Sequence, residues 1–134
     1  MKYIVTLLFA AFCFTISTGQ EELRKQGLHL TFEKEHIELG EVKKGEKRTF
    51  QYTFKNTGTE TVEISIVSGC ECTTLDWTRG EIKSGERGVI DVIFDSEKKE
   101  ASETVDVDMY LKNINPKSDS QYLFVLDYTF ELIQ

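Results

Sequence analysis

Hydrophobic and polar residues alternate along most of the chain, from residue 28 to residue 132. Such alternation sends successive side chains to opposite faces of a β-strand, so that one face packs into a core while the other meets solvent. The pattern is clearest at 104–111 and 122–132, where every second residue is apolar. No segment beyond residue 19 shows the 3.6-residue period of an amphipathic helix. The pattern therefore predicts an all-β domain.

The predicted strands are short and follow one another closely. About seven such strands are typical of an immunoglobulin-like antiparallel β-sandwich, which is the fold we predict for residues 28–134. The disulfide and tryptophan signature of antibody domains is missing, which favours a variant topology. The predicted strands lie at 28–32, 36–39, 47–55, 62–67, 90–94, 104–111 and 122–132.

Turns rich in Gly and Asn separate these strands. Asn and Gly tolerate the positive φ that a tight reversal needs, and Asn56-Thr57-Gly58 is a turn of this kind. The sequence at 40–47 recurs at 80–87, each time with a Lys-x-Gly-Glu turn that leads into a strand. Two copies are too few for a solenoid or propeller. The repeat therefore predicts one turn-into-strand unit used twice in a single sandwich.

The alternation also predicts which side chains form the core. We expect carboxylates on the opposite strand faces to be exposed, namely Asp91, Asp106 and Asp108. The residues expected to be buried are Val62, Ile64, Ile66, Ile90, Val92, Phe94, Val107, Met109, Phe124 and Leu126.

The first residues have the layout of a secretory signal peptide. A short positive lead precedes an uncharged apolar run at 4–16, and small residues at 17–19 predict cleavage after Gly19. The run is shorter than the roughly 20 residues that a membrane-spanning helix needs. Bulky Phe12 disfavours lipid attachment at Cys13. We therefore expect 1–19 to be a signal peptide, 20–27 a loose polar leader, and the protein to be exported to the periplasm or cell surface.

Charge and residue types exclude several functions. The formal net charge is −7, which is a poor fit to nucleic acid or to an anionic membrane surface. The only histidines are His29 and His36, and no Ser-His-Asp arrangement can be argued from their spacing. We predict no catalytic residue, no metal ligand set and no cofactor. The sequence favours a non-enzymatic interaction or structural module with a protein or cell-envelope partner.

Cys70 and Cys72 are the one chemically distinctive pair. They follow the predicted strand 62–67, and alternation carried forward places both on its core face. In a regular strand, residues two apart are about 6.7 Å apart, whereas a disulfide needs Cβ atoms about 3.8 Å apart. A bond between them therefore requires a sharp bend at Glu71.

Three interpretations of this pair remain open. Free cysteines pack as small apolar side chains, and a thiol pair in an oxidising compartment tends to form a disulfide. Two thiolates cannot complete a structural zinc site, but a soft ion such as Cu(I) accepts two. We favour a structural role for Cys70 and Cys72, reduced or bridged. The alternative function is thiol redox chemistry or copper binding.

Several short motifs follow one another along the chain. They are 36–40 with the Lys-Gly-Glu turn after it, Phe54-Lys55-Asn56-Thr57-Gly58, 68–73, 82–88 and Phe94-Asp95-Ser96. Together they resemble a known bacterial family, DUF1573, whose function is unknown. The resemblance extends over residues 28–132, and its most specific part is Cys-x-Cys-Thr followed by the second Gly-Glu turn. It implies an exported immunoglobulin-like domain and supplies no activity.

Overall fold

A computed structural model describes residues 25–134 of the protein. The expected signal peptide, 1–19, and most of the expected leader lie outside the described residues. Within 25–134, no helix long and apolar enough to cross a membrane is found. The elements in this range are β1 (Leu30–Phe32), β2 (His36–Lys43), β3 (Lys47–Asn56), β4 (Val62–Gly69), β5 (Thr73–Trp77), β6 (Glu81–Ile82), β7 (Arg87–Asp95), β8 (Glu103–Asn115) and β9 (Ser120–Ile133).

These strands form two sheets that enclose one core. One sheet has four strands in the order β1-β3-β7-β5, and the other has five in the order β2-β9-β8-β4-β6. Aromatic rings from the two sheets meet between them. The ring of Phe94 on β7 lies 4.6 Å from that of Phe130 and 5.3 Å from that of Tyr128, both on β9. The all-β prediction is confirmed.

Two details of the predicted sandwich differ in the structure. The described residues form nine strands instead of about seven, because the segment after the cysteines contributes β5 to one sheet and β6 to the other. The wholly antiparallel arrangement is wrong at one place: β2 runs parallel to β9, with His36 opposite Asp127. Side-chain alternation specifies which face of a strand is buried and carries no information about the direction of its neighbour.

The repeated sequence forms the same turn twice. Glu46 N–H donates to the carbonyl of Lys43 at 2.8 Å, and Glu86 N–H donates to that of Lys83 at 2.9 Å. The turn glycines have positive φ values, 95° at Gly45 and 87° at Gly85, which other residues adopt only with strain. One turn type therefore introduces both central strands of the four-stranded sheet, β3 and β7.

The core prediction holds with one clear exception. Ile66 was expected inside, but its side chain is 49% exposed. The cause is a β-bulge in β4: Ile64 lies opposite Leu111 and Ile66 opposite Tyr110, so β4 has one extra residue. The extra residue reverses the alternation, and Val67 takes the inward position at 4% exposure.

Two further expectations are met only in part. Phe124 is only partly buried, and Asp108 is half-buried, with a carboxylate oxygen that has no hydrogen-bond partner among residues 25–134. Asp91 and Asp106 are exposed as expected. Residues confirmed as buried are Val62, Ile64, Ile90, Val92, Phe94, Val107, Met109 and Leu126.

A buried asparagine organises the turn after β3. Asn56 is 0% exposed, and its side-chain amide donates to the carbonyls of Glu60 at 2.8 Å and Ile82 at 3.0 Å. Its side-chain oxygen accepts the N–H of Gly58 at 3.1 Å. The end of the leader joins this turn, since Thr59 N–H donates to the carbonyl of Gly27 at 2.9 Å.

Candidate functional site

The two cysteines lie in the turn that carries the chain from β4 to β5, and so from one sheet to the other. Thr73 N–H donates to the carbonyl of Cys70 at 2.9 Å, which closes a four-residue turn. The turn brings the Cα atoms of Cys70 and Cys72 to 5.2 Å, and their sulfur atoms are joined in a disulfide. The bend that a bond between these residues requires is therefore present at Glu71.

Backbone contacts fix this turn on the sandwich. Asp95 N–H donates to the carbonyl of Cys72 at 2.9 Å, which extends the β5–β7 ladder by one residue. Cys72 N–H donates to the sulfur of Cys70 at 3.0 Å. Both cysteines are half-buried and pack against the edge of the core. The bulge and the turn, and not an unbroken alternation, bring them to this position.

Two hydroxyl groups lie beside the sulfur of Cys72. Its Sγ is 3.4 Å from the hydroxyl of Thr73 and 3.7 Å from that of Tyr128, and the two hydroxyls are 2.7 Å apart. Burial raises the pKa of the Tyr128 phenol, although its hydrogen bond with Thr73 opposes the shift. The phenol therefore stays protonated at neutral pH and is able to donate a hydrogen bond to a thiolate on Cys72.

The disulfide opens into a cleft of about 320 Å³. Three carboxylates and two ammonium groups surround it, so the cleft has mixed charge. Within residues 25–134, no cluster of three or more His, Cys, Asp or Glu side chains is suited to a metal ion. The cleft is lined by Cys70, Glu71, Cys72, Asp95, Glu97, Lys98 and Lys99.

Neither His29 nor His36 lines the cleft beside the cysteines. His29 is half-buried and its ring contacts the hydroxyl of Thr57. His36 is exposed and connects β2 to β9, since Nδ1 contacts a carboxylate oxygen of Asp127 and Nε2 lies 2.8 Å from one of Glu38. Hydrogen bonds with Glu38 and then with Asp127 raise the pKa of His36. Its role in the described structure is to hold β2 against β9.

A second surface was not found from the sequence: one side of β9 is open. β2 pairs only with the part of β9 from Asp127 onward, so residues 120–126 have β8 on one side and, among the described residues, no strand on the other. We call residues 120–126 the β9 edge. Asp127 N–H points to this open side, where it donates to the carbonyl of Glu35 at 3.0 Å.

The direction of the Asp127 N–H shows which backbone groups of the β9 edge are free. Backbone N–H and C=O groups alternate sides along a strand, so those of Gln121, Leu123 and Val125 point the same way as those of Asp127. No residue of 25–134 makes a hydrogen bond to the backbone of these three residues on that side. The β9 edge therefore offers another strand an unused half-ladder, that is, a row of backbone N–H and C=O groups without partners on that side.

The outward face beside the β9 edge is apolar. Leu123 lies opposite Tyr110 on β8, and Tyr110 lies opposite Ile66 on β4, so the three side chains form a row across three strands. Leu123 is 46% exposed, and Val125, the next residue of β9 on the same outward face, is 56% exposed. We call Ile66, Tyr110 and Leu123 the outer row. The uninterrupted apolar run at 122–126 was the one sequence signal that both faces of β9 are apolar here.

The comparisons with known proteins identify the family. Residues 30–123 match the family described as "Protein of unknown function (DUF1573)". The chain belongs to the DUF1573 family. The resemblance inferred from the cysteine and turn motifs is thus confirmed. No curated protein sequence matches this DUF1573 chain.

Solved structures resemble this DUF1573 protein in fold. A protein of unknown function from Porphyromonas gingivalis W83 has a TM-score of 0.62 at 15% identity, over 87% of this chain and 51% of that one. The human CEP192 PapD-like domain 7 has a TM-score of 0.56 at 12% identity, over 78% of this chain and 85% of that one. The Vibrio cholerae VesB protease has a TM-score of 0.59 at 12% identity, over 76% of this chain and 31% of that one.

These identities are low, so the likeness concerns the fold alone. The DUF1573 chain spans about half the length of the Porphyromonas gingivalis protein and under a third of the Vibrio cholerae protease.

Proposed function

We propose that this DUF1573 protein is an exported, non-enzymatic interaction module that binds an extended polypeptide segment along the β9 edge. The observation that carries the proposal is the free half-ladder of Gln121, Leu123 and Val125, flanked by exposed apolar side chains. Addition of a strand to such an edge is a common mode of peptide recognition, in which main-chain hydrogen bonds give affinity and alternate side chains give specificity.

The other free edges carry features that hinder pairing. The stretch of β3 beyond β1, 47–52, and the stretch of β8 beyond β4, 103–106, carry the charged residues Lys47, Arg48, Glu103 and Asp106. β2 carries Glu38, Glu41 and Lys43, β5 carries Asp76, and β1 and β6 are three and two residues long. The free part of β4 contains the bulge. Charges, short length and bulges are the usual means by which soluble proteins prevent pairing at an edge. The β9 edge has no charge and no proline, and the irregularities beside it add residues to β8 and β2 and not to β9.

The fold and the sequence at 1–19 support the same proposal. The two-sheet architecture and the likeness to a PapD-like domain support an immunoglobulin-like sandwich. The signal-peptide layout of 1–19 supports export to the periplasm or cell surface. Mass spectrometry of the exported protein should show a chain that begins at Gln20. A mature chain that retains 1–19, or that carries lipid on Cys13, would contradict this part of the proposal.

Selection from a phage library of random ten-residue peptides tests the binding surface. We expect the protein to enrich peptides that are apolar at alternate positions, because such peptides extend both the ladder and the outer row. Leu123→Glu should weaken the binding of the enriched peptides by at least about tenfold, since it places a charge in the apolar row.

The matched control is Ile93→Glu. Ile93 is a similarly exposed isoleucine, at 41%, on the outward face of the four-stranded sheet. The Ile93→Glu protein should bind the enriched peptides as tightly as wild type. Peptides that bind the Leu123→Glu protein as tightly as wild type would place the site elsewhere and refute the proposal.

A second candidate function, thiol–disulfide exchange, rests on the Cys70–Cys72 bond. Its ring encloses a single intervening residue, and the entropic stabilisation from so short a loop is less than about 2 kcal/mol. The bond therefore contributes little to the stability of the sandwich, while its position at a cleft makes it accessible to another thiol.

The chemistry of this candidate is simple exchange. An external thiolate attacks one sulfur and forms a mixed disulfide with it, while the Cys70–Cys72 bond breaks and the other sulfur leaves as a thiolate that later takes a proton. A second external thiolate then attacks the mixed disulfide, which frees the second cysteine and leaves the two external thiols joined in a disulfide. Departure of the Cys72 sulfur is favoured by the hydroxyls of Tyr128 and Thr73 beside it. Copper binding, the other possibility for this pair, requires the reduced form, because a disulfide has no thiolate to offer a soft ion.

Thiol counting in glutathione buffers, before and after denaturation, tests this candidate. Exchange activity predicts that Cys70 and Cys72 become reduced in the native protein within the range of physiological glutathione potentials. Copper titration of the reduced protein separates metal binding from exchange. A bond reduced only after denaturation would show that the pair is structural.

A further inference from the structure

We propose that the segment bound at the β9 edge is the same edge of a second copy of this chain, paired antiparallel about Leu123. This inference rests on the proposed function, since it names the partner of the same surface. Residues 120–126 are themselves an extended, uncharged segment with apolar side chains on both faces, which is the chemistry that the edge accepts.

The free backbone groups are self-complementary in one register. With Leu123 opposite Leu123 of the second copy, Gln121 lies opposite Val125 of that copy, and Val125 opposite its Gln121. All three pairs join residues whose N–H and C=O groups point to the open side, so each pair exchanges two bonds. The register yields about six backbone hydrogen bonds. A shift by two residues in either direction yields fewer, because the N–H of Asp127 is already bonded to Glu35 and that of Asp119 to Asn115.

The side chains are continuous in the same register. On the outward face, the outer row meets the outer row of the second copy, which gives one apolar band of Ile66, Tyr110 and Leu123 across six strands. On the inward face, Phe124 lies opposite Tyr122 of the second copy. Both aromatic side chains are only partly buried in the single chain, and cross-strand aromatic pairs are favourable.

Charge limits the strength of this association. The paired segments carry no charge, so there is no repulsion within the ladder. Each copy nevertheless has a net charge of −7, and Asp119 of one copy approaches Asp127 of the other at each end of the paired segment. The interface is also small for a stable complex. We therefore expect a reversible dimer with a Kd of about 10–1,000 µM that tightens as added salt screens the repulsion.

Sedimentation equilibrium of the purified protein, at about 10 µM to 1 mM and at low and high salt, tests the inference. Wild type should show a monomer–dimer equilibrium. Leu123→Glu places two carboxylates face to face and should raise the Kd at least about tenfold. Leu123→Pro removes an edge N–H that makes no internal bond and should have the same effect. Ile93→Glu should dimerise like wild type.

The outcomes separate this inference from the proposed function. A protein that stays monomeric up to 1 mM, yet whose β9 edge binds selected peptides, overturns the second-copy inference and leaves the proposed function intact. A dimer that Leu123→Glu and Leu123→Pro do not weaken places the contact elsewhere and also overturns it. Circular dichroism and melting of each variant monomer show whether a loss arises from misfolding, and a folded Leu123→Pro that fails to dimerise supports the proposal even where Leu123→Glu is destabilised.

Discussion

Two phenylalanines on inward strand faces show how position decides the energetic role of a residue. Phe54, on β3, is 1% exposed, and Gly88 lies against its ring so closely that any Cβ there would collide with it. Phe124, on β9, is only partly buried, and its ring touches that of Phe32 at 5.8 Å between centroids. Phe54 has strands on both sides, β1 and β7, whereas Phe124 has only β8 beside it.

Replacement of each by alanine should therefore have unequal effects on monomer stability. Phe54→Ala should lower the free energy of unfolding by about 3–5 kcal/mol, the usual cost of truncating a fully buried aromatic. Phe124→Ala should cost less, because part of its ring is in water already. Urea denaturation at low protein concentration measures both. Equal losses would contradict the partial burial of Phe124 in the monomer.

His36 gives the structure a pH dependence. Its pKa is raised by Glu38 and Asp127, which favour the protonated ring. A raised folded-state pKa contributes stability that is fully present below the unfolded-state value of 6.5 and is lost as pH rises through the folded-state pKa. The stability difference between wild type and His36→Gln should therefore be present near pH 5 and shrink toward pH 9 in chemical denaturation. A difference independent of pH would show that the protonated ring does not hold β2.

Among the elements, β4 differs most from its sequence pattern. Alternation from Val62 through Ile66 reads as one regular strand, yet the bulge turns Ile66 outward and Val67 inward. A bulge depends on how β4 aligns with β8, far away in the chain, and leaves no mark in the local alternation. The parallel pairing of β2 with β9 likewise depends on a strand far away in the chain and leaves no mark in the local alternation. Seven of the nine strands were predictable because each carries its own periodic pattern, whereas the short strands β5 and β6 were not predicted.

A pair of threonine substitutions tests the bulge. Ile66→Thr changes an exposed side chain and should alter the free energy of unfolding by no more than about 0.5 kcal/mol. Val67→Thr preserves shape but places a hydroxyl in the core, and should cost about 1–3 kcal/mol. Thermal and urea denaturation of the two variants measure these changes in the free energy of unfolding. The reverse order of costs would mean that β4 is regular and that Ile66 faces the core.

At the scale of the whole molecule, the sandwich separates two surfaces. The cysteine turn joins the two sheets at one place, and the β9 edge lies along the five-stranded sheet. Cys70 and Cys72 could be singled out from the sequence because cysteine is chemically distinctive. The turn that contains them has the bend at Glu71 that a bond between them requires. The β9 edge could not be predicted, because it exists only where β2 stops short of the full length of β9.

The most direct measurement for the β9 edge is backbone amide hydrogen exchange, residue by residue, by NMR. In dilute protein, the amides of Gln121, Leu123 and Val125 should exchange rapidly, while those of Phe124 and Leu126 should be protected by pairing with β8. Addition of an enriched peptide, or of more protein if the second copy is the partner, should protect the first three and leave the other two unchanged. Protection of Gln121, Leu123 and Val125 in the dilute monomer, or continued rapid exchange in the complex, would contradict the assignment of the β9 edge as the binding surface.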